Sequence, residues 1–252
     1  MSYKVYGSYE RALEKPTEAF KHINRTSRGN VVLASVEGHE KPVETKWIKS
    51  CAEAYRISDD ISDYIIVPVP IVTVGIPNRN LQAFDLKDIT HWNTDAGRIS
   101  YQTFIGKPLF RDHKNDNPKE AKGVILDSVM KYIPKYDLWK IIILTAWCRT
   151  KDKDVANHIL KDPKSEYSMG CLVNKFIEFP SGKVVKPDPK ERRQRRVGTI
   201  DKDGNLIYDM MFGIKFFETS LITSEAGAAD FSATNKQRDI LIRPDEEKSL
   251  EY

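Results

Sequence analysis

Two apolar runs, DYIIVPVPIVTVG (63–75) and LWKIIILTAWC (138–148), constrain the fold of this chain more than any other feature. Both fall short of the ~18–20 residues that a membrane-spanning helix needs. Their β-branched and aromatic side chains suit a pleated strand better than a helix. The same signals predict strands over 64–74 (bent by Pro68 and Pro70), 99–105, 122–132, 138–148, 167–179, 205–209 and 213–223. Helices are expected at 44–57, 85–92 and 152–161, the last stopped by Pro163. Few helices fall between consecutive strands, which argues against a doubly wound sheet. The expected class is α+β, with a mainly antiparallel β-barrel or sandwich core decorated by helices.

At 252 residues, with 40% hydrophobic and 30% charged residues, the chain can bury a sizeable core as one large domain with appended segments. The pattern divides it into an N-terminal extension (1–60), to which a regulatory role is open, a core (61–235) and a polar C-terminal tail (236–252). The extension is expected to pack on or over the core. The start, MSYKVYGSYERALEK, has no apolar signal core, so secretion is not expected. Cys51, Cys148 and Cys171 lie far apart without a CxxC spacing, which disfavours both a disulfide framework and a zinc knuckle. The net charge of +4 does not by itself call for nucleic acid. Its one concentration is Arg192, Arg193, Arg195 and Arg196. With few acidic sequence neighbours for its arginines, and with Pro187 and Pro189 opposing regular structure, 186–198 reads as an exposed, mobile loop. No phosphate-binding glycine loop or dinucleotide fingerprint is present, so nucleotide chemistry has no support.

Of the five histidines (His22, His39, His91, His113, His158), His113 stands out. It lies in a polar, turn-rich stretch just before a strong strand, where functional side chains often sit, and a histidine is the usual general base near neutral pH. Ser168 begins a strand, with Gly170 two residues on. A serine needs a base to take its proton, and a glycine lets a carbonyl approach backbone N–H donors. Cys171 falls on the opposite face of that strand and reads as a small core residue. Glu218 lies within an otherwise apolar strand, where a carboxylate is costly to bury unless paired. The bland alternatives are an exposed loop histidine, a strand with a glycine bulge and a solvent-facing acid.

The order and flanks of these segments resemble the prohead maturation proteases of tailed bacteriophages, serine peptidases related in fold to the herpesvirus assembly proteases. The matching stretches are IPNRNLQAFDLKDI (76–89), GKPLFRDH before KGVILDSV, DKDVANHILKDPKSEYSMG (152–170) and FFETSLITSEAGAADF (216–231), together about 60% of the chain with the segments between. The resemblance implies a herpesvirus-protease-like fold, with Ser168 as nucleophile, His113 as general base, Glu218 as orienting acid and Gly170 at the oxyanion region. No metal or organic cofactor is implied. The implied partners are phage scaffold and major capsid proteins, with homo-oligomers, no membrane and no nucleic acid; the implied location is the host cytoplasm, inside the prohead. Departures are the KNDNP stretch after His113, the Arg-rich insertion at 186–196 and the 1–60 extension. Such proteases tend to cut after Glu with a small or apolar residue two positions earlier. Glutamates with Ser, Ala or Gly two positions earlier are Glu10, Glu14, Glu37, Glu40 and Glu251, and none of these lies between 60 and 235. The same fold also resembles tail-tube proteins, so a non-catalytic capsid, scaffold or tail-tube component is the alternative. A nucleic-acid binder working through 190–196 is a further rival, and it leaves the histidine, serine and glutamate segments unexplained.

Overall fold

The run KIIILTAWC is apolar without alternation because its strand, β11 (Leu138–Cys148), is covered on both faces. Ile141, Ile143 and Trp147 enter the main core. Ile142, Leu144, Ala146 and Cys148 face a second apolar layer beneath α1 (Lys46–Tyr55), which contributes Ile48 and Cys51. A strand buried on both faces reads as a continuous apolar run rather than an alternating one.

This computed structural model describes residues 3–6, 10–11, 24–25, 32–33, 46–78, 80–133, 138–161 and 165–223. Before α1 come four short strands, β1 (Tyr3–Tyr6), β2 (Glu10–Arg11), β3 (Asn24–Arg25) and β4 (Val32–Leu33). After it come β5 (Tyr64–Val74), β6 (Gln82–Phe84), α2 (Leu86–Thr90), β7 (Trp92–Asn93), β8 (Arg98–Ile99), β9 (Pro108–Arg111) and β10 (Gly123–Ile133). Beyond β11 follow α3 (Lys153–Lys161), β12 (Glu166–Val173), β13 (Lys175–Phe179), β14 (Val184–Val185), α4 (Pro189–Gln194), β15 (Tyr208–Phe212) and β16 (Lys215–Ile222).

The main sheet runs β1-β12-β16-β9-β10-β11-β5, with β2 also paired to β12. It is antiparallel except where β9 lies parallel to β16. It curls until β5, at one end of the order, comes back near β12. The result is a mixed α+β molecule, mostly strands, with a half-barrel sheet and few helices. Pro68 and Pro70 are tolerated because β5 ends the sheet order and one side of its backbone needs no ladder partner. A smaller sheet, β14-β13-β15-β6, stands beside the main one. Among the described residues no helix is long and apolar enough to cross a membrane.

Several expectations change in detail. The strand expected over 99–105 is the two-residue β8 followed by a 3-10 turn at Ser100–Phe104. The single strand expected over 167–179 is two strands in different sheets, β12 and β13, parted at Asn174. The expected strand at 205–209 lies later, at Tyr208–Phe212, preceded by a turn in which Asp201 accepts from the Asp203 and Asn205 amides. The C-terminal tail, Pro163 and most of the 1–60 extension lie outside the described residues.

The arginine run is not a mobile loop. Asp188 caps α4, accepting from the Lys190 and Glu191 amides, and Pro189 occupies the first turn where no donor is missed. Arg192 Nη1 donates to Asp209 Oδ2 at 2.6 Å, and Arg195 Nη1 donates to Asp209 Oδ1 at 2.8 Å and Glu178 Oε2 at 2.9 Å. Asp209 is fully buried. Its partners lie 14 and 17 residues away in sequence, so the scarcity of acidic sequence neighbours misled. Arg193 and Arg196 are exposed. Removing a partner from a buried charge is costly, whereas exposed charges contribute little. Arg195→Ala is therefore expected to lower stability by about 2–4 kcal/mol and Arg193→Ala by less than about 0.5 kcal/mol, measured by denaturant unfolding.

Candidate functional site

Position along β12 decides which side chains face the core. Tyr167, Met169, Cys171 and Val173 belong to the main apolar cluster. By the twofold alternation of a strand, Ser168 and Gly170 point to the opposite face. On the neighbouring β16, Ser220 pairs in register with Ser168 and Glu218 pairs with Gly170, so all four share that face. The register shifts between Gly170 and Cys171, whose partner is Phe216. Phe217 is thus an inserted residue, a bulge that keeps Phe216 in the core while turning Glu218 outward.

Gly170 is required by close approach rather than by an unusual backbone angle. A Cβ there would lie 2.6 Å from the Phe217 ring and 2.7 Å from Glu218 Oε1. Cys171 is fully buried on the core side. Burial pushes its thiol well above the ordinary range, and the nearby Glu218 charge adds to the shift. A thiol so hard to ionise is no rival nucleophile.

His113 reaches this face from β9. That strand runs parallel to β16, with Arg111 opposite Leu221. The Asp112 amide then donates to the Leu221 carbonyl at 2.9 Å. The Asp112 carboxylate accepts from the Thr223 amide at 2.7 Å and the Thr223 hydroxyl at 2.8 Å. Asp112 and His113 both adopt the left-handed region, with φ of 50° and 58°. Such strain in non-glycine residues persists only where the surroundings impose it, and it clusters at functional sites. Here the clamp to Thr223 imposes it, and the chain turns so that His113 lies over β16.

The result is a close approach of three groups. His113 Nδ1 stands 3.8 Å from Glu218 Oε1, the imidazole partly exposed and the carboxylate buried. Ser220 Oγ donates to Glu218 Oε2 at 2.8 Å. Ser168 lies in register beside Ser220 but is fully buried. Its hydroxyl makes no hydrogen bond among the described residues, so the structure does not join it to His113. Sequence reasoning missed Ser220. The signal was present in Glu-Thr-Ser (218–220), since residues two apart on a strand share a face.

Beside the site, Arg111, Asp112, Lys114, Glu120, Lys122 and Asp152 line a cavity of about 390 Å³. Its charges are balanced, three of each sign. The described residues contain no group of three or more His, Cys, Asp or Glu side chains placed to hold a metal ion.

On its other edge, β12 pairs with the start of the chain. Tyr6 lies opposite Gly170 and Glu10 opposite Tyr167, so β1 and β2 flank the Ser168–Met169 step.

No family model and no curated protein matches the sequence. Among solved structures, the capsid assembly protease of bacteriophage T4 is similar at 11% identity, over 88% of this chain and 99% of that one, with a TM-score of 0.45. At that identity neither residue roles nor activity pass from one chain to the other.

Two stability tests probe this geometry. His113→Gly is expected to be more stable than His113→Ala by about 1 kcal/mol in denaturant unfolding, because alanine keeps the left-handed penalty and glycine escapes it. That order is the reverse of an ordinary position. Gly170→Ala is expected to lose about 1–3 kcal/mol, since the methyl group must displace the Phe217 ring and the Glu218 carboxylate.

Proposed function

We propose that the chain is a serine endopeptidase of the prohead-maturation kind, acting on scaffold and capsid-protein segments during phage head assembly. The observation that carries the reading is the His113–Glu218 approach of 3.8 Å on the sheet face that also holds Ser168. The four segments that resemble prohead proteases support it as well.

In this reading each residue has one task. Glu218 faces Nδ1 of His113 and fixes the ring's orientation, which leaves Nε2 for the nucleophile. His113 takes the Ser168 proton as the hydroxyl attacks the scissile carbonyl. The acyl bond forms at Ser168 Oγ, the leaving amine receives the proton from His113, and water then releases the acyl group by the same route in reverse. Backbone N–H groups near Gly170 would stabilise the oxyanion. The resemblance adds homo-oligomeric assembly inside the prohead, in the host cytoplasm.

A second reading has one observation in its favour. Ser168 is fully buried and its hydroxyl makes no hydrogen bond among the described residues. A non-catalytic capsid, scaffold or tail-tube component would need no access to it. A protease held closed until assembly is complete would show the same burial.

The two readings separate on one substitution. Ser168→Ala and His113→Ala are expected to abolish cleavage of scaffold protein, by about a thousandfold or more, without loss of fold by circular dichroism. Glu218→Ala should retain some activity, and Cys171→Ala nearly all of it. Cleavage by Ser168→Ala at the wild-type rate would leave only the structural reading. Glu10, which lies in β2 opposite Tyr167, is the expected point of self-trimming; Glu14, Glu37, Glu40 and Glu251 lie outside the described residues. Mass spectrometry of protein from mature particles checks this, and an intact Met1 in fully active enzyme would exclude N-terminal processing.

A further inference from the structure

Resting on that reading, we infer that Ser220 is a positioning residue, whose hydroxyl holds the Glu218 carboxylate in the rotamer that presents Oε1 to His113. Three observations carry the inference. Ser220 Oγ donates to Glu218 Oε2 at 2.8 Å, leaving Oε1 as the oxygen nearest His113 Nδ1, at 3.8 Å. Both Ser220 and Glu218 are fully buried, so water cannot take over the donor's part. The bulge at Phe217 puts Glu218 and Ser220 on one face and in register with Gly170 and Ser168.

A buried carboxylate needs donors, and its two oxygens divide the work. Oε2 is occupied by a neutral hydroxyl from its own strand, a partner two residues away that moves with it. Oε1 is turned to the imidazole. Without the Ser220 hydroxyl nothing on β16 would hold Oε2, and the carboxylate would rotate or draw back from His113. An orienting group that lies further from its ring than a normal hydrogen bond depends strongly on such support, because a small rotation moves it out of reach. Ser220 itself touches neither substrate nor the reacting atoms in this arrangement.

The test uses the full-length chain and a fluorophosphonate probe. With this probe a P–O bond forms at the serine oxygen, the P–F bond breaks, fluoride leaves and the serine proton passes to the base. The readouts are the limiting inactivation rate, the half-saturating probe concentration and the labelled serine by peptide mass spectrometry. Ser220→Ala is expected to slow limiting inactivation about ten- to a hundredfold with the half-saturating concentration unchanged and the adduct still on Ser168. Ser220→Thr, which keeps the hydroxyl, should recover to within a few-fold of wild type. If Ser220→Ala does not fold, Ser220→Cys, a weaker donor of similar size, should give an intermediate rate.

Wild-type inactivation by Ser220→Ala or Ser220→Cys overturns the inference while leaving Ser168 as nucleophile. So does a change confined to the half-saturating concentration, or failure of Ser220→Thr to recover while it remains folded. An adduct on Ser220 in the wild-type protein overturns it by making Ser220 the nucleophile. No adduct on any serine of the wild-type chain, whether full length or trimmed after Glu10, overturns the protease reading itself, and the inference with it.

Discussion

The arrangement depends on burying one carboxylate. Glu218 has no solvent access, and taking an ionised carboxylate out of water costs several kcal/mol unless nearby groups compensate. The compensation comes from three sides. Ser220 donates to one oxygen, His113 stands 3.8 Å from the other, and the missing side chain of Gly170 makes room for it. Each is a condition on the sequence. The bulge at Phe217 brings Glu218 to the right face, the glycine sits opposite it in register, and β9 must run parallel to β16 to bring His113 over the acid.

The cost of that last condition appears in the backbone. Two consecutive non-glycine residues, Asp112 and His113, are held at positive φ, at about 1 kcal/mol or more each. The clamp that holds them is made of three hydrogen bonds between Asp112 and the end of β16. Aspartate and histidine tolerate the left-handed region better than most residues. A chain selected only for stability would have glycine at one of these positions. The strands on either side of this turn pair normally.

Local pattern made the scaffold legible, and distance hid much of the rest. The limits of β5 and β11 could be read from their apolar runs, because strands covered on both faces carry few polar residues, here Thr73, Lys140 and Thr145. α1 followed from its one-faced apolar spacing, and α2 and α3 from helix start and stop signals. Cys171 could be set on the core face from its offset to Ser168 alone. By contrast, β9 has four residues and little pattern, and the break at Asn174 is a change of sheet that alternation does not mark. The arginine run was misread because Asp209 and Glu178 are near in space and remote in sequence. At the site, Glu218 stood out as an acid within an apolar strand and His113 as a histidine in a turn-rich stretch just before a strong strand. Ser220 did not, because a serine in a strand is ordinary until the carboxylate two residues before it is seen to be buried.

In the proposed reading Ser168 poses the remaining physical question, since a nucleophile must be reached. Its strand has little freedom to move. Tyr167, Met169, Cys171 and Val173 anchor β12 in the core, and β16 pairs along seven of its residues. Displacing β12 toward a substrate would break that packing and separate Glu218 from its partners. The opposite edge is different. There β1 and β2 contribute ladders of only four and two residues, and short ladders at a sheet edge open at far lower cost than central strands. If Ser168 is the nucleophile, access to it is therefore expected on the side of the N-terminal strands. The acid, the base and the serine can then stay fixed to the rigid part of the sheet while the edge beside them opens, as a preorganised site requires.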